Sequence, residues 1–149
     1  MLNWLKDRSN EARSKLTSEV SKFRNREFME AVVAACAMVA AADGHIAPEE
    51  KRKMIGFLQR ADEMKHFDTA QVVAFFEKIA GNYEFDGEIG KAEALKVIGR
   101  VRSKPEQARM VVRVACVIGA SDGDFDADEK DAVRSICTDL GLDPADFDL

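Results

Sequence analysis

Aspartate and glutamate are concentrated in two short segments, and side-chain carboxylates at this density could bind a divalent cation. Residues 43–50 read DGHIAPEE and residues 122–129 read DGDFDADE. Both contain the spacing D-G-x-Φ-x-x-x-E, in which Φ is apolar, and this spacing equals the second half of an EF-hand loop. The first half is missing, because the residues at its first two ligand positions carry no side-chain oxygen. A complete EF-hand is therefore excluded.

Carboxylate oxygens are nevertheless abundant enough for a hard cation. Ca²⁺ takes about 6–8 oxygen ligands, and residues 122–129 alone supply five carboxylates. If the two segments lie side by side in the fold, the first adds more. The sequence therefore predicts a weakly held divalent cation, with Ca²⁺ favoured, and no catalytic residues. The predicted ligands are Asp43, Glu49, Glu50, Asp122, Asp124, Asp126 and Glu129.

The same residues could instead serve only to begin and end helices. Gly44 and Gly123 stand where glycine commonly follows a helix C-terminus. Pro48 fits a first helical position, and Asp126 with Glu129 fits a capping box. A carboxylate in a first helical turn gains about 0.3–1 kcal/mol from the helix dipole. Capping and cation binding both remain open interpretations of these segments.

Helical periodicity dominates the chain, because Pro and Gly are few and alternating β-branched residues are nearly absent. The prediction is an all-α fold, a compact bundle of about seven helices that forms a single domain over residues 1–149. Its first helix, within residues 1–25, is amphipathic and packs on or flanks the rest. The predicted helices are 2–24, 26–42, 48–63, 69–80, 88–102, 105–120 and 127–140, with a short turn near 144–147.

An internal repeat relates residues 31–51 to residues 110–130. Each copy consists of an apolar helix, an Asp-Gly link and a charged amphipathic helix. The apolar helices have few polar positions around their circumference, which is typical of central helices. Two copies predict a pseudo-twofold arrangement with the apolar helices packed together. A fainter third copy of the link begins at Asp86-Gly87.

Composition excludes several classes of protein. A net charge of −5 disfavours general nucleic-acid binding, which depends on neutralising phosphates. The longest apolar run, 31–42, is shorter than the roughly 20 residues of a membrane span. The N-terminus lacks the pattern of a signal peptide, and three cysteines without a C-x-x-C motif favour reduced, buried thiols in the cytoplasm.

Charge is distributed unevenly along the chain. Residues 1–27 carry a net charge of +3 and residues 122–149 a net charge of −8. Such polarity favours oriented docking to a partner or a surface. The predicted first helix also has an apolar stripe, which could pack on the core or contact anionic lipid. That stripe is formed by Leu5, Ala12, Leu16, Val20 and Phe23.

Several motifs in order resemble the TerB family of tellurite-resistance proteins, and the likeness covers nearly the whole chain. The paired links carry it most clearly, as VAAADGHIAPEEK at 39–51 and ASDGDFDADEK at 120–130. The remaining motifs are KFRNREFMEAVVAACA at 22–37, KMIGFLQ at 53–59, FDTAQVVAFFEKI at 67–79 and LGLDPADFDL at 140–149.

The resemblance implies a compact helical fold and a cytoplasmic bacterial protein encoded with other tellurite-resistance proteins. It implies action at the inner membrane with the integral membrane protein TerC. It also implies metal sensing through acidic residues that match six of the predicted ligands, namely Asp43, Glu49, Glu50, Asp122, Asp124 and Glu129. No reactive thiol pair that could reduce tellurite is present.

Together these patterns favour a binding or adaptor protein over an enzyme. One alternative is an acidic scaffold that docks a basic protein without any metal. Another is a metal-dependent hydrolase. The hydrolase is disfavoured because the two histidines stand in unrelated contexts, and because no phosphate-binding glycine loop or nucleophile motif is present.

Overall fold

The described part of the chain is helical throughout and contains no strand. The computed structural model describes residues 25–42, 46, 48–60, 67–120 and 125–149, without the side chains of residues 50, 54 and 57–60. The all-α prediction is confirmed. Six α-helices rather than seven are present in these ranges, because the predicted helix at 2–24 lies outside them. They are α1 (Arg26–Ala40), α2 (Pro48–Arg60), α3 (Thr69–Phe85), α4 (Gly87–Ile98), α5 (Pro105–Gly119) and α6 (Ala127–Leu140).

Helix α1 is the central element. Every residue from Phe28 to Val39 is buried, as expected for a helix that is apolar on all sides. It contacts α3, α4, α5 and α6. Its many alanines let neighbouring helices approach closely, since interaxial distance follows side-chain size. The helix begins at Asn25, whose side chain accepts a hydrogen bond of 2.7 Å from the Phe28 N–H.

Helices α1 and α5 pack against one another, as the repeat predicts. Helix α5 buries most of its residues from Ala108 to Gly119, with Arg109 and Arg113 exposed. The pseudo-twofold arrangement of the two copies is not confirmed, because both Asp-Gly links, at 43–44 and 122–123, lie outside the described residues.

Helix α3 is longer than predicted, and it meets α4 at a sharp corner. The prediction ended this helix at residue 80 before Gly81, but the helix continues to Phe85. Only Asp86 separates the two helices, in an extended conformation (φ −166°, ψ 127°). Gly90 makes the tight packing possible, because a Cβ atom there would lie 2.6 Å from Cγ of Tyr83.

The C-terminal part follows the prediction closely. Helix α6 ends at Gly141, which adopts a left-handed conformation with φ 71°. A short 3₁₀ helix, Pro144–Phe147, forms the predicted tail turn. Helix α4 is shorter than the predicted 88–102, because its last turn tightens into a 3₁₀ segment over Gly99–Val101.

Candidate functional site at the acidic end of the bundle

Two of the predicted cation ligands begin helix α6 as a capping box. The Asp126 Oδ1 atom accepts a hydrogen bond of 2.8 Å from the Glu129 N–H. In return, the Glu129 Oε1 atom accepts one of 3.1 Å from the Asp126 N–H. Two backbone N–H groups that a helix start leaves without intrahelical partners are thereby satisfied. The predicted capping role of this pair is confirmed.

Phe125 precedes this cap and fixes the entry of the chain into α6. Its ring lies against the end of α5, where a Cβ atom on Gly119 would approach the ring to 2.9 Å. The Lys130 Nζ atom lies 6.0 Å from the ring centroid. An apolar residue before the cap that contacts the fourth helical residue is a staple-like arrangement. The second acidic segment is thus anchored to the core on its C-terminal side.

The other predicted ligands are only partly described. Glu49 is exposed in the first turn of α2. Glu50 belongs to the same turn, but its side chain lies outside the description, as do Asp43, Asp122 and Asp124. Among the residues that are described, no group of three or more His, Cys, Asp or Glu side chains could hold a metal ion. The seven-residue cation site therefore stays a prediction.

An open groove of about 560 Å³ lies at this end of the bundle. Its walls are the C-terminal end of α1, the corner between α3 and α4, and the first two turns of α6. We call it the acidic groove. Its lining residues are Met38, Ala41, Ala42, Tyr83, Asp86, Gly87, Glu88, Lys91, Asp128, Asp131, Ala132 and Ser135.

The charge of this lining is strongly negative. Four carboxylates, Asp86, Glu88, Asp128 and Asp131, face a single ammonium group, that of Lys91. Asp86 caps α4, since its Oδ1 atom accepts hydrogen bonds of 2.8 and 3.2 Å from the N–H groups of residues 88 and 89. Three of the four carboxylates stand at the beginning of α4 or α6, where the helix dipole stabilises negative charge.

The groove contains the third, fainter Asp-Gly motif together with residues that neighbour the other two links in sequence. Ala41 and Ala42 line it and directly precede the first link, while Asp128 lines it just after the second link. The motif at Asp86 is visible in the sequence, but neither Asp86 nor Asp131 is among the predicted ligands. The shared D-G-x-Φ spacing was the available signal for Asp86. No local sequence pattern distinguishes Asp131, because its position in the groove depends on tertiary packing.

Two large apolar side chains stand exposed beside the acidic residues of the corner. Phe85 is 81% exposed and Ile89 is 44% exposed. Phe85 directly precedes Asp86, and Ile89 directly follows Glu88. Single exposed apolar residues are ordinary on a protein surface, but two large ones within five positions of the chain that flank groove-lining acids in sequence are candidates for a contact surface.

The three cysteines are buried, as predicted. Burial raises the pKa of the Cys36 thiol to about 12. It likewise raises the pKa of Cys116 to about 12 and that of Cys137 to about 11, with smaller contributions from nearby acidic groups. Because the thiolate is the reactive form, these thiols are unreactive at neutral pH.

A buried carboxylate that is not among the predicted ligands lies near the other end of α1. Glu30 is 8% exposed and accepts hydrogen bonds from Arg26 and Arg100, each of 3.1 Å. It forms part of a smaller groove of about 310 Å³ together with residues of α3 and α4. Both of its partners are cations, so the buried charge is compensated and the arrangement is structural.

The fold and this site define a class of protein, a small helical bundle with one acidic groove and buried, unreactive thiols. No helix in the described ranges is long and apolar enough to cross a membrane. A family model described as tellurite resistance protein TerB matches residues 29–149. The chain belongs to this family.

A curated relative supports the same assignment. The "Tellurium resistance protein TerB" of an Alcaligenes species is 45% identical over 102 residues, which cover 68% of this chain and 84% of the relative. No solved structure matches the chain.

Proposed function

We propose that this chain is a non-enzymatic tellurite-resistance protein that binds a divalent cation at its acidic end and signals the bound state to a partner. The observation that carries the proposal is the acidic groove. It joins Ala41 and Ala42, which precede the first link, to the Asp86 corner and the beginning of α6, so acidic residues from two parts of the chain converge on one end of the bundle.

A hard cation suits this end because its polar groups are mainly carboxylates, which Ca²⁺ prefers as ligands. The proposed ligands are those that the sequence predicts in the two links, with Asp126 and Glu129 also serving as caps. A carboxylate can accept more than one interaction, so a capping role and a ligand role are compatible. The rigid cap would hold this part of the site in place before the cation arrives.

The partner in this proposal is a TerC-like integral membrane protein, and the chain acts in the cytoplasm at the inner membrane. Support for this step comes from the family resemblance. A protein without catalytic groups can contribute to resistance only through what it binds, and the acidic end offers a polarised contact surface.

A nuclear magnetic resonance titration tests the cation proposal. Ca²⁺, Mn²⁺ and Zn²⁺ would be added separately to ¹⁵N-labelled protein, and the backbone amide signals followed. We expect saturable changes centred on Gly44 and Gly123. A Glu50→Gln/Glu129→Gln variant should lose them, because glutamine preserves the capping hydrogen bonds but removes the charge. A Glu93→Gln/Glu106→Gln variant removes the same charge elsewhere on exposed positions and should respond like the wild type.

A second candidate function is a metal-independent acidic scaffold that docks a basic protein. The exposed Phe85 and Ile89, which flank the groove residues 86–88 in sequence, favour it, because a bare cation would leave both side chains uncovered. Signals that stay constant up to millimolar cation, together with partner capture that is lost in groove variants, would establish the scaffold and refute cation binding.

A further inference from the structure

We propose that the acidic groove is the docking site for the basic segment formed by residues 1–24 of the same chain. This proposal rests on the proposed adaptor function, since it identifies what occupies the contact surface when no outside partner does. It differs from cation binding, whose proposed ligands belong to the two links and are not among the residues that line the groove, and it can fail separately.

Charge complementarity is the first argument. Four carboxylates and one ammonium group line the groove, which leaves an excess of three negative charges. Residues 1–24 carry six Lys/Arg and three Asp/Glu, which leaves an excess of three positive charges. Complementary patches attract one another and favour one orientation of docking.

The apolar surface supplies the second argument. The lining of the groove also includes small or flexible apolar residues such as Ala42, Ala132 and Met38. Phe85 and Ile89 stand exposed beside it in sequence. The predicted helix at 2–24 has a stripe of apolar residues as well as basic ones. Such a helix in a groove buries apolar surface while its charged residues pair at the rim.

The length of the segment provides the third argument. It precedes Asn25, where α1 begins, whereas the groove lies at the other end of α1. Helix α1 has 15 residues, so its two ends are about 22 Å apart. A helix that runs back along this distance places residues near position 10 at the groove. Because the segment is tethered, its effective concentration is about millimolar, so a contact with a dissociation constant below that concentration is mostly occupied.

The walls of the groove are held in place by hydrogen bonds and close packing. The hydrogen bonds from Asp86 and the close packing of Gly90 on Tyr83 fix the corner between α3 and α4. The capping box fixes the beginning of α6. A surface that is already ordered loses little entropy when a segment binds to it.

Paramagnetic relaxation measures this contact in the full-length protein. A Ser9→Cys variant would be labelled with a nitroxide at position 9, since the three native thiols are buried. The measurement is made with chelator present, so that cations play no part. We expect the amide signals of residues 86–91 and 128–135 to lose intensity in the oxidised sample and to regain it after reduction. Raising the salt concentration should restore the intensity as well, because screening weakens the attraction.

Charge-swap variants make the test specific. Asp128→Lys/Asp131→Lys should abolish the intensity loss, and adding Arg13→Glu/Lys15→Glu to that variant should restore it. The matched control, Glu93→Lys/Glu106→Lys, reverses exposed charges outside the groove and should leave the loss unchanged. Amide spectra establish that each variant is folded.

Three outcomes would overturn the proposal. Intensity losses that centre on another surface would show that the segment docks elsewhere, and no losses would show that it does not dock. Losses of full size in a mixture of nitroxide-labelled molecules without ¹⁵N and ¹⁵N-labelled molecules without nitroxide would assign the groove to a second copy. A failed cation titration would leave the intensity losses unchanged, so the two proposals are separable.

Discussion

Substitutions at Asp126 separate the capping role of this residue from its proposed ligand role. Alanine removes the acceptor of the 2.8 Å hydrogen bond from the Glu129 N–H and leaves that donor without its partner. The loss of an N-cap costs about 1 kcal/mol. The removed charge at the beginning of α6 adds about 0.3–1 kcal/mol. We therefore expect Asp126→Ala to lower the free energy of unfolding by about 1–2 kcal/mol.

Asparagine at the same position provides the matched comparison. It caps a helix about as well as aspartate, so Asp126→Asn should lose only the dipole contribution, about 0.3–1 kcal/mol. Urea unfolding followed by circular dichroism measures both variants, and the midpoint should shift without a change in slope. If the two variants unfold at the same urea concentration, the side-chain acceptor contributes nothing and the capping argument is wrong.

The same pair of variants bears on function. Asp126→Asn keeps the cap but removes one negative charge from the proposed cation site. We expect it to weaken cation binding while the stability stays close to that of the wild type. If Asp126→Asn binds cations like the wild type, Asp126 is a cap and not a ligand.

Three further predictions concern the stability of the fold. Gly81→Ala should stabilise the protein by about 0.5–1 kcal/mol, because alanine favours a helix and the site is open. Gly90→Ala should destabilise it by about 1–2 kcal/mol, because the added Cβ atom would overlap Tyr83. Equal urea midpoints for the two variants would contradict both predictions. Glu30→Ala should lower the free energy of unfolding by about 1–2 kcal/mol, and Glu27→Ala, which breaks an exposed ion pair, by less than about 1 kcal/mol. Because burial raises the thiol pKa values in the folded state, the unfolded chain releases these protons first as the pH rises above about 9. Stability should therefore fall between about pH 9 and 11, by up to about 1.4 kcal/mol per pH unit for each thiol, and less steeply in Cys36→Ala.

Much of the fold follows from local signals in the sequence. The apolar character of 26–42 and 105–120 indicated two central helices, and the structure packs α1 against α5. Local capping chemistry also predicted the beginning of α6, because the pattern at Asp126 and Glu129 needs no tertiary information. These predictions succeeded because the residues that specify each feature lie within a few positions of one another.

The errors arise where packing outweighs a local preference. The predicted helix ends at residue 80, but the cost of Gly81 within a helix is only about 1 kcal/mol. Burial of Ile79 and Ala80 before it, and the close contact of Tyr83 with Gly90 after it, favour continuing the helix. The break occurs instead at Asp86, which caps the next helix.

The candidate site was predictable only in part for the same reason. The sequence identified the acidic links, and it noted the third motif at Asp86. It could not show that Glu88, Lys91 and Asp131 share one groove, because these residues come from α4 and α6, whose contact is tertiary. The exposure of Phe85 could not be predicted from the sequence either, since phenylalanine is ordinarily expected to be buried.

Calorimetric titration of Ca²⁺ into the chelator-treated full-length protein tests the central claim most directly. We expect one saturable binding event that the Glu50→Gln/Glu129→Gln variant loses and the Glu93→Gln/Glu106→Gln variant retains. This result would establish the acidic end as a cation site. Heats that do not differ from those of dilution up to millimolar Ca²⁺, or binding that both variants retain equally, would contradict the claim.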